Sequence, residues 1–182
     1  AKPLLPFDPK ELAAPGELLP ASTIGYYLMK VDLASVWPTK LRTFFIPDDP
    51  QNTTKLWALD FKQDVLPELG PECGAAVLEL PGLTDINSVT WAAFCKLKSP
   101  KLSEALSGGS LFAGVGPTKD FAEVKASADS YFVATRKGFL VVSNHDKGLA
   151  AFDGKSNLAA TRDYSRAVEK VPNSIVAFGG YN

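Results

Sequence analysis

Histidine and cysteine are scarce in this sequence, with one histidine and two cysteines among 182 residues. A single imidazole leaves little material for general acid–base chemistry, and a zinc site would need both cysteines to converge on it without any characteristic ligand spacing. Neither a C-x-x-C pair nor a G-x-S-x-G elbow occurs, so the signatures of thiol redox enzymes and serine hydrolases are absent. The sequence therefore predicts no cofactor and no metal, and it argues against an enzyme.

An excess of charge of either sign is also lacking. The 19 basic and 20 acidic side chains leave a formal charge of −1, without the basic footprint of a nucleic-acid binder. No apolar run approaches the roughly 18–20 residues that span a bilayer, and the longest ones have the length of strands. These absences predict that the chain has no nucleic-acid partner and no transmembrane segment.

The composition is that of a globular protein, with 46% hydrophobic and 21% charged residues. Aromatic and β-branched runs predict strands at 22–32, 73–80, 88–98, 121–127, 130–136, 138–144 and 174–181. Apolar spacing and capping residues predict short helices at 33–45, from Asp60, and at 99–106, 145–152 and 161–170. The mixture predicts an α+β fold, a largely antiparallel sheet of about seven strands with four or five short helices packed on it.

Proline sets the predicted boundary at the start of the chain. Five prolines in the first 20 residues exclude a long helix or a central strand there, because proline lacks the backbone donor. Residues 1–18 are therefore predicted to be a proline-rich lead-in or linker draped on the surface, with one turn of helix after Asp8. The α+β domain is predicted to span residues 19–170.

One stretch of sequence recurs near the end of the chain. LPASTIGYY, from Leu19, aligns without gaps with VPNSIVAFG, from Val171, and the prolines and serines coincide. Chance is one explanation, because any X-Pro-x-Ser sequence can lead into a strand. The other is that residues 171–182 begin a second repeat, truncated after Asn182.

The repeat hypothesis predicts where the last strand lies. Residues 173–181 should form a strand in the same sheet as residues 23–32, or cap its edge. A bare terminal edge invites pairing with another chain. The residues predicted to mediate such self-association are Ser174, Val176 and Phe178.

The two cysteines lie in a predicted hairpin around the loop PGLTDIN. A register centred on Thr84 pairs Leu80 with Ser88, Val77 with Trp91 and Cys73 with Cys95. Facing cysteines on neighbouring strands are within disulfide distance, so this register allows a bond between Cys73 and Cys95. Two free buried thiols are the alternative, and a reducing compartment would favour them.

His145 and Asp146 are the weak candidates for catalytic residues. A histidine beside an aspartate is a candidate general base or metal ligand. Adjacent residues do not face each other, however, and Asn, His, Asp and Gly are ordinary residues of a turn after a strand. The turn interpretation is favoured, and it predicts that His145 lies in a loop after the strand GFLVVSN and is dispensable for folding.

Several short stretches follow one another in a familiar order. They are LPAST before an aromatic strand, DVLPELGPE, KLKSPKLSEAL, GFLVVSN with a helix, and SNLAATRDYSRAVEKVPN before a new strand. From Leu19 onward the chain resembles a bacterial family of exported or membrane-anchored proteins, domain of unknown function 3352. The segment SGGSLFAGVGPTK departs from the family, which has a longer helix after Leu106. The resemblance implies paired repeats and an extracytoplasmic location, periplasmic or at the cell surface, and it transfers no catalytic residues.

These observations favour a non-catalytic binding or scaffold module of an exported bacterial protein. A cytoplasmic location stays open. One alternative is a hydrolase-type enzyme that uses His145 with Asp146 or a distant carboxylate. Another is a carrier of an apolar ligand, which would have a large pocket lined by aromatic side chains.

Overall fold

The computed structural model describes residues 5–6, 8–31, 33, 64–82, 88–107, 122–126, 129–172, 175 and 177–181. The strands in this part of the chain are β1 Gly25–Lys30, β2 Leu69–Glu79, β3 Thr90–Leu97, β4 Ala122–Ala126, β5 Asp129–Arg136, β6 Phe139–Ser143 and β7 Ala177–Tyr181. The helices are α1 Ala13–Leu18, α2 Lys101–Ser107, α3 Asp146–Ala150 and α4 Arg162–Glu169, with short 3-10 turns between some of them.

All seven strands form one sheet in the order β4-β5-β6-β3-β2-β1-β7, and every neighbouring pair is antiparallel. The predicted α+β fold with a largely antiparallel sheet is therefore confirmed. The strands predicted at 121–127, 130–136 and 138–144 are present as a meander of β4, β5 and β6. Lys137 and Gly138 turn the chain between β5 and β6 with positive φ angles of 49° and 80°, where glycine carries no steric cost. The helix predicted at 33–45 lies outside the described residues apart from Leu33. Of the helix predicted from Asp60, only the end is described, and it includes the 3-10 turn Leu66–Glu68.

Both faces of the sheet carry buried apolar side chains. One face packs under α1, α3 and α4, and together they form the main core. The buried sheet residues of this core are Leu28, Ala76, Ala92, Phe94, Ala134, Phe139 and Val141. The opposite face carries the cysteines and meets α2, where Leu102 is buried and the Ser103 hydroxyl lies 3.1 Å from that of Thr135.

Residues 9–18 are part of this core, whereas residues 1–18 were predicted to be a surface lead-in. Asp8 caps a 3-10 turn, Pro9–Leu12, which runs directly into α1. Leu12 and Leu18 are almost fully buried against the helices of the carboxyl-terminal half. Proline permits this because Pro9 lies in the first turn, where no intrahelical donor is lost.

The hairpin of β2 and β3 has the predicted register at its centre. Cys73 pairs with Cys95, and Val77 pairs with Trp91. Beyond Val77 the register shifts, so Glu79 pairs with Thr90 and the predicted pairing of Leu80 with Ser88 is wrong. A bulge of this kind places two residues of one strand opposite one of its partner.

β2 also begins earlier than predicted, at Leu69 instead of Cys73. Pro71 therefore lies inside the strand. A register shift between Leu69 and Cys73 accommodates it, since proline is tolerated where the ladder is irregular. The Pro71 carbonyl still accepts a hydrogen bond from the Val31 amide at 2.8 Å.

The last strand lies where the repeat hypothesis predicted it. β7 pairs antiparallel with β1 at the edge of the same sheet. Residues 177–181 thus belong to the sheet of the predicted 19–170 domain, so the boundary at residue 170 does not separate two folded units here. Ser174 and Val176 lie outside the described residues, and the self-association predicted through them stays a prediction.

Candidate functional site

His145 is the N-cap residue of α3, immediately after the short connection from β6. Its backbone is extended, with φ −140° and ψ 145°, and its side chain is half-buried. Its amide donates to the Ser143 hydroxyl at 3.3 Å. The structure thus places His145 after the predicted strand, at the junction where the chain turns into a helix.

Asp146 makes no side-chain hydrogen bond to His145 in the described part of the chain. It is exposed, it lies in the first turn of α3, and its carboxylate accepts from the Lys147 amide at 2.7 Å. A carboxylate at this position interacts favourably with the unpaired amides at a helix start. The pair singled out in the sequence is therefore not arranged as a base and its orienting acid.

Ser143 and Asn144 use their side chains to hold β3. The buried Ser143 hydroxyl donates to the Trp91 carbonyl at 2.7 Å. The Asn144 side chain accepts from the Trp91 amide at 2.9 Å and donates to the Val89 carbonyl at 2.7 Å. Because a carboxamide has the donor and acceptor of a peptide group, Asn144 continues the ladder of β6 where its backbone leaves the sheet.

Glu79, at the end of β2, is a carboxylate that interacts with the charge of His145. Glu79 accepts hydrogen bonds from the Lys147 ammonium and, at 3.2 Å, from the Thr90 hydroxyl. The hydrogen bond from Lys147 is the main reason why the pKa of Glu79 lies below its usual range, and the charge of His145 adds only a minor lowering. Glu79 is thus paired with Lys147.

The structure joins Cys73 and Cys95 by a disulfide with a Cα–Cα distance of 4.1 Å. The Val31–Pro71 hydrogen bond shows that the backbone groups of Pro71 point to β1. Because backbone groups alternate along a strand, those of Cys73 also point to β1 and away from β3. Cys73 and Cys95 are therefore a non-hydrogen-bonded pair of β2 and β3. Side chains of such pairs lie closest together. Neither sulfur is therefore available as a nucleophile or a metal ligand.

Among the described residues, no group of three or more His, Cys, Asp or Glu side chains is arranged to hold a metal ion. The same part of the chain contains no helix long and apolar enough to cross a bilayer.

Exposed aromatic side chains mark a second region, on β1 and β7. Tyr27 is 46% exposed and Tyr181 is 93% exposed. Gly25 pairs with Tyr181 and Tyr27 pairs with Gly179, so the two tyrosines are diagonal neighbours on the face that also carries the disulfide. Tyrosine offers apolar area together with a hydrogen-bonding hydroxyl, which suits it to protein contacts.

The sequence analysis did not identify Glu79, Thr90, Ser143 or Asn144 as partners. Their association depends on the pairing of β3 with β6, since Trp91 and Asn144 are far apart in the chain. The one available signal was the position of Asn144 directly after a strand, where a carboxamide can extend the ladder.

Comparison of the chain with family models, curated proteins and solved structures gave no match. The resemblance to the exported bacterial family of unknown function therefore stays a prediction.

Proposed function

We propose that this chain is a non-catalytic binding or scaffold module of an exported bacterial protein. The observation that carries the proposal is the use of the polar side chains around His145. Asn144 and Ser143 bond the backbone of β3, while Glu79 is engaged by Lys147 and Thr90. The polar groups that a hydrolase would need for catalysis instead fasten α3 and β6 to the neighbouring strands.

The disulfide supports the exported location. Disulfides persist in the periplasm and outside the cell, whereas cytosolic thiols are usually kept reduced. The bond between Cys73 and Cys95 links the central strand of the sheet, β3, to its neighbour β2. A disulfide at this position stabilises the fold only in a compartment where it stays oxidised.

The exposed tyrosines support a binding role. A pair of aromatic side chains on one edge of the sheet face, Tyr27 and Tyr181, leaves apolar area in contact with solvent. Aromatic residues are enriched at the centres of protein interfaces. We therefore place the contact surface of the module at the β1–β7 end of the sheet.

Hydrolysis of p-nitrophenyl acetate tests the non-catalytic part of the proposal. The control variant is Lys155→Gln, at an exposed residue. Wild type, His145→Gln and Lys155→Gln should all hydrolyse the ester at the same slow rate per mole of protein. A tenfold or larger loss confined to His145→Gln, with unchanged circular dichroism, would favour the hydrolase alternative instead.

Thiol trapping in the native bacterium tests the location. Cells are treated with maleimide under denaturing conditions, with and without prior reduction. We expect Cys73 and Cys95 to be labelled only after reduction, and the protein to be released with the extracytoplasmic fraction. Labelling without reduction, together with recovery in the cytosol, would overturn the exported location.

A further inference from the structure

Two parts of the fold repeat each other in the order of their elements. Residues 9–18 form a 3-10 turn and α1, and residues 162–169 form α4. Each helix is followed by an X-Pro step, Leu19-Pro20 or Val171-Pro172, and then by a strand. In the gap-free alignment of the two stretches, the starts of the strands coincide, since Gly25 of β1 aligns with Ala177 of β7.

Residues that are equivalent in this alignment also touch each other in space. Leu12 and Tyr164 become equivalent when the alignment is continued upstream without a gap, and the Tyr164 hydroxyl donates to the Leu12 carbonyl at 2.7 Å. The rings of Tyr26 and its equivalent, Phe178, have centroids 6.0 Å apart. A two-fold axis that passes near such residues brings each of them into contact with its equivalent.

The register of the sheet gives the same axis. β1 and β7 are antiparallel, and Tyr27 pairs with Gly179, its equivalent in the alignment. This pair is the middle one of the five that join the two strands. The axis therefore passes between Tyr27 and Gly179 and continues into the helical layer, where Leu12 meets Tyr164.

The axis exchanges β1 and β7, so the place of β2 beside β1 corresponds to the place beside the outer edge of β7. β1 lies between β7 and β2, whereas β7 has β1 on one side and no described strand on the other. The amides of Gly25, Tyr27 and Met29 point to β2, in phase with the Val31–Pro71 hydrogen bond. The equivalent amides on β7, those of Ala177, Gly179 and Tyr181, point to its outer edge.

We propose that residues 9–30 and 161–181 are two copies of one helix–strand unit, and that the outer edge of β7 binds a β2 strand from a second copy of this domain. β7 then serves as the first strand of that second copy, as β1 serves the first. Strand addition of this kind satisfies the open backbone groups of an edge, which otherwise invite unspecific pairing. The inference concerns an interaction surface and holds whether or not the domain is catalytic.

The register of the added strand follows from that of β1 and β2. Gly25 pairs with Val77 and Met29 pairs with Cys73. By the alignment, Ala177 should pair with the Val77 position of the second copy, and Tyr181 with its Cys73 position. The second copy then needs no first strand of its own.

A tandem protein tests the proposal. It joins the full chain at Asn182 directly to residues 31–160 of a second copy, so that β7 is the only first strand available to that copy and β1 takes the place of its last strand. The matched control joins two full chains through a long Gly/Ser linker, so that each copy keeps its own β1. Amide hydrogen exchange is measured at Gly179, which points outward, and at Gly180, which points to β1.

We expect Gly179 to exchange at least 100-fold more slowly in the direct tandem than in the single chain or the linked control. Gly180 should be protected in all three. Tyr181→Pro removes an outward donor and the tyrosine ring, whereas Tyr181→Ala removes the ring alone. Relative to Tyr181→Ala, Tyr181→Pro should weaken protection of Gly179 in the tandem and leave protection of Gly180 in the single chain unchanged.

Four results would overturn the proposal. The first two are an equal exchange rate of the Gly179 amide in the tandem and in the single chain, and a second copy that stays unfolded beside a folded first copy. The third is protection of the Gly179 amide already in the monomer. The fourth is protection of this amide in the single chain that grows with protein concentration. The last result would indicate pairing of two β7 edges with each other.

Discussion

Gly16 shows how one missing side chain fixes the position of a helix. A Cβ atom at this residue of α1 would lie 2.5 Å from the ring of Tyr164. That ring cannot easily move aside, because it is buried and its hydroxyl is bonded to the Leu12 carbonyl. Burial also raises the pKa of the Tyr164 hydroxyl, which keeps it protonated as a donor.

We therefore predict that Gly16→Ala destabilises the protein, although alanine has the higher helix propensity. Propensity alone would stabilise the helix by about 1 kcal/mol, whereas overpacking costs about 1–3 kcal/mol. Urea unfolding should show a net loss of about 1 kcal/mol. Gly154→Ala is the control, since the nearest atom would be 3.4 Å away, in ordinary contact. A Gly16→Ala protein more stable than wild type would contradict the packing argument.

Glu79 gives a prediction about pH at the same scale. Its pKa is lowered chiefly by the hydrogen bond and charge of Lys147. A lowered folded-state pKa means that the stabilisation is present above the pKa of the unfolded chain and is lost as pH falls through the folded-state value. Because the two side chains are about half exposed, we expect this effect on stability to be small.

The measurement is a carbon-13 NMR titration of the Glu79 carboxyl. Lys147→Met should raise its pKa towards the ordinary value, and Lys170→Met, a lysine on another element, should leave it unchanged. An equally low pKa in Lys147→Met would show that Thr90 or His145 dominates instead.

At the scale of elements, we predict that the junction of β6 and α3 depends on Asn144 and not on His145. Asn144→Ala leaves the Trp91 amide and the Val89 carbonyl without their partner, which should cost about 2 kcal/mol in urea unfolding. His145→Ala should change stability by less than about 0.5 kcal/mol. A similar loss in both variants would show that His145 is needed for folding.

Most strands and helices were predictable because their signals are local. The meander of β4, β5 and β6 follows from β-branched runs and the turn at Lys137-Gly138, and α2 follows from Pro100. Pro71 misled the prediction of β2, because the bulge that accommodates it is a property of the pairing with β3. The hydrogen bonds of Asn144 were beyond sequence analysis for the same reason.

On the scale of the whole molecule, the two ends of the described chain share one core. Leu12 and Leu18 pack with Tyr164 and Phe178, which the sequence separates by most of its length. Local signals predicted that the proline-rich start is a linker. Such signals do not show the burial of a segment, because burial depends on distant elements that pack against it. The recurring LPAST and VPNSI stretches were the one sequence signal that linked the ends, and β7 does pair with β1.

The disulfide closes a loop in the middle of the sheet, so its removal should affect the whole molecule. Cys73 and Cys95 are 22 residues apart, and a cross-link over such a loop stabilises by about 3 kcal/mol through the entropy of the unfolded chain. For a domain of this size about 1 kcal/mol corresponds to 2–4 °C, so Cys73→Ala/Cys95→Ala should lower Tm by about 6–12 °C. Reductant should lower the Tm of wild type by a similar amount and leave that of the double variant unchanged. Two free thiols in the unreduced, unfolded wild type, with a Tm insensitive to reductant, would show that the bond does not form.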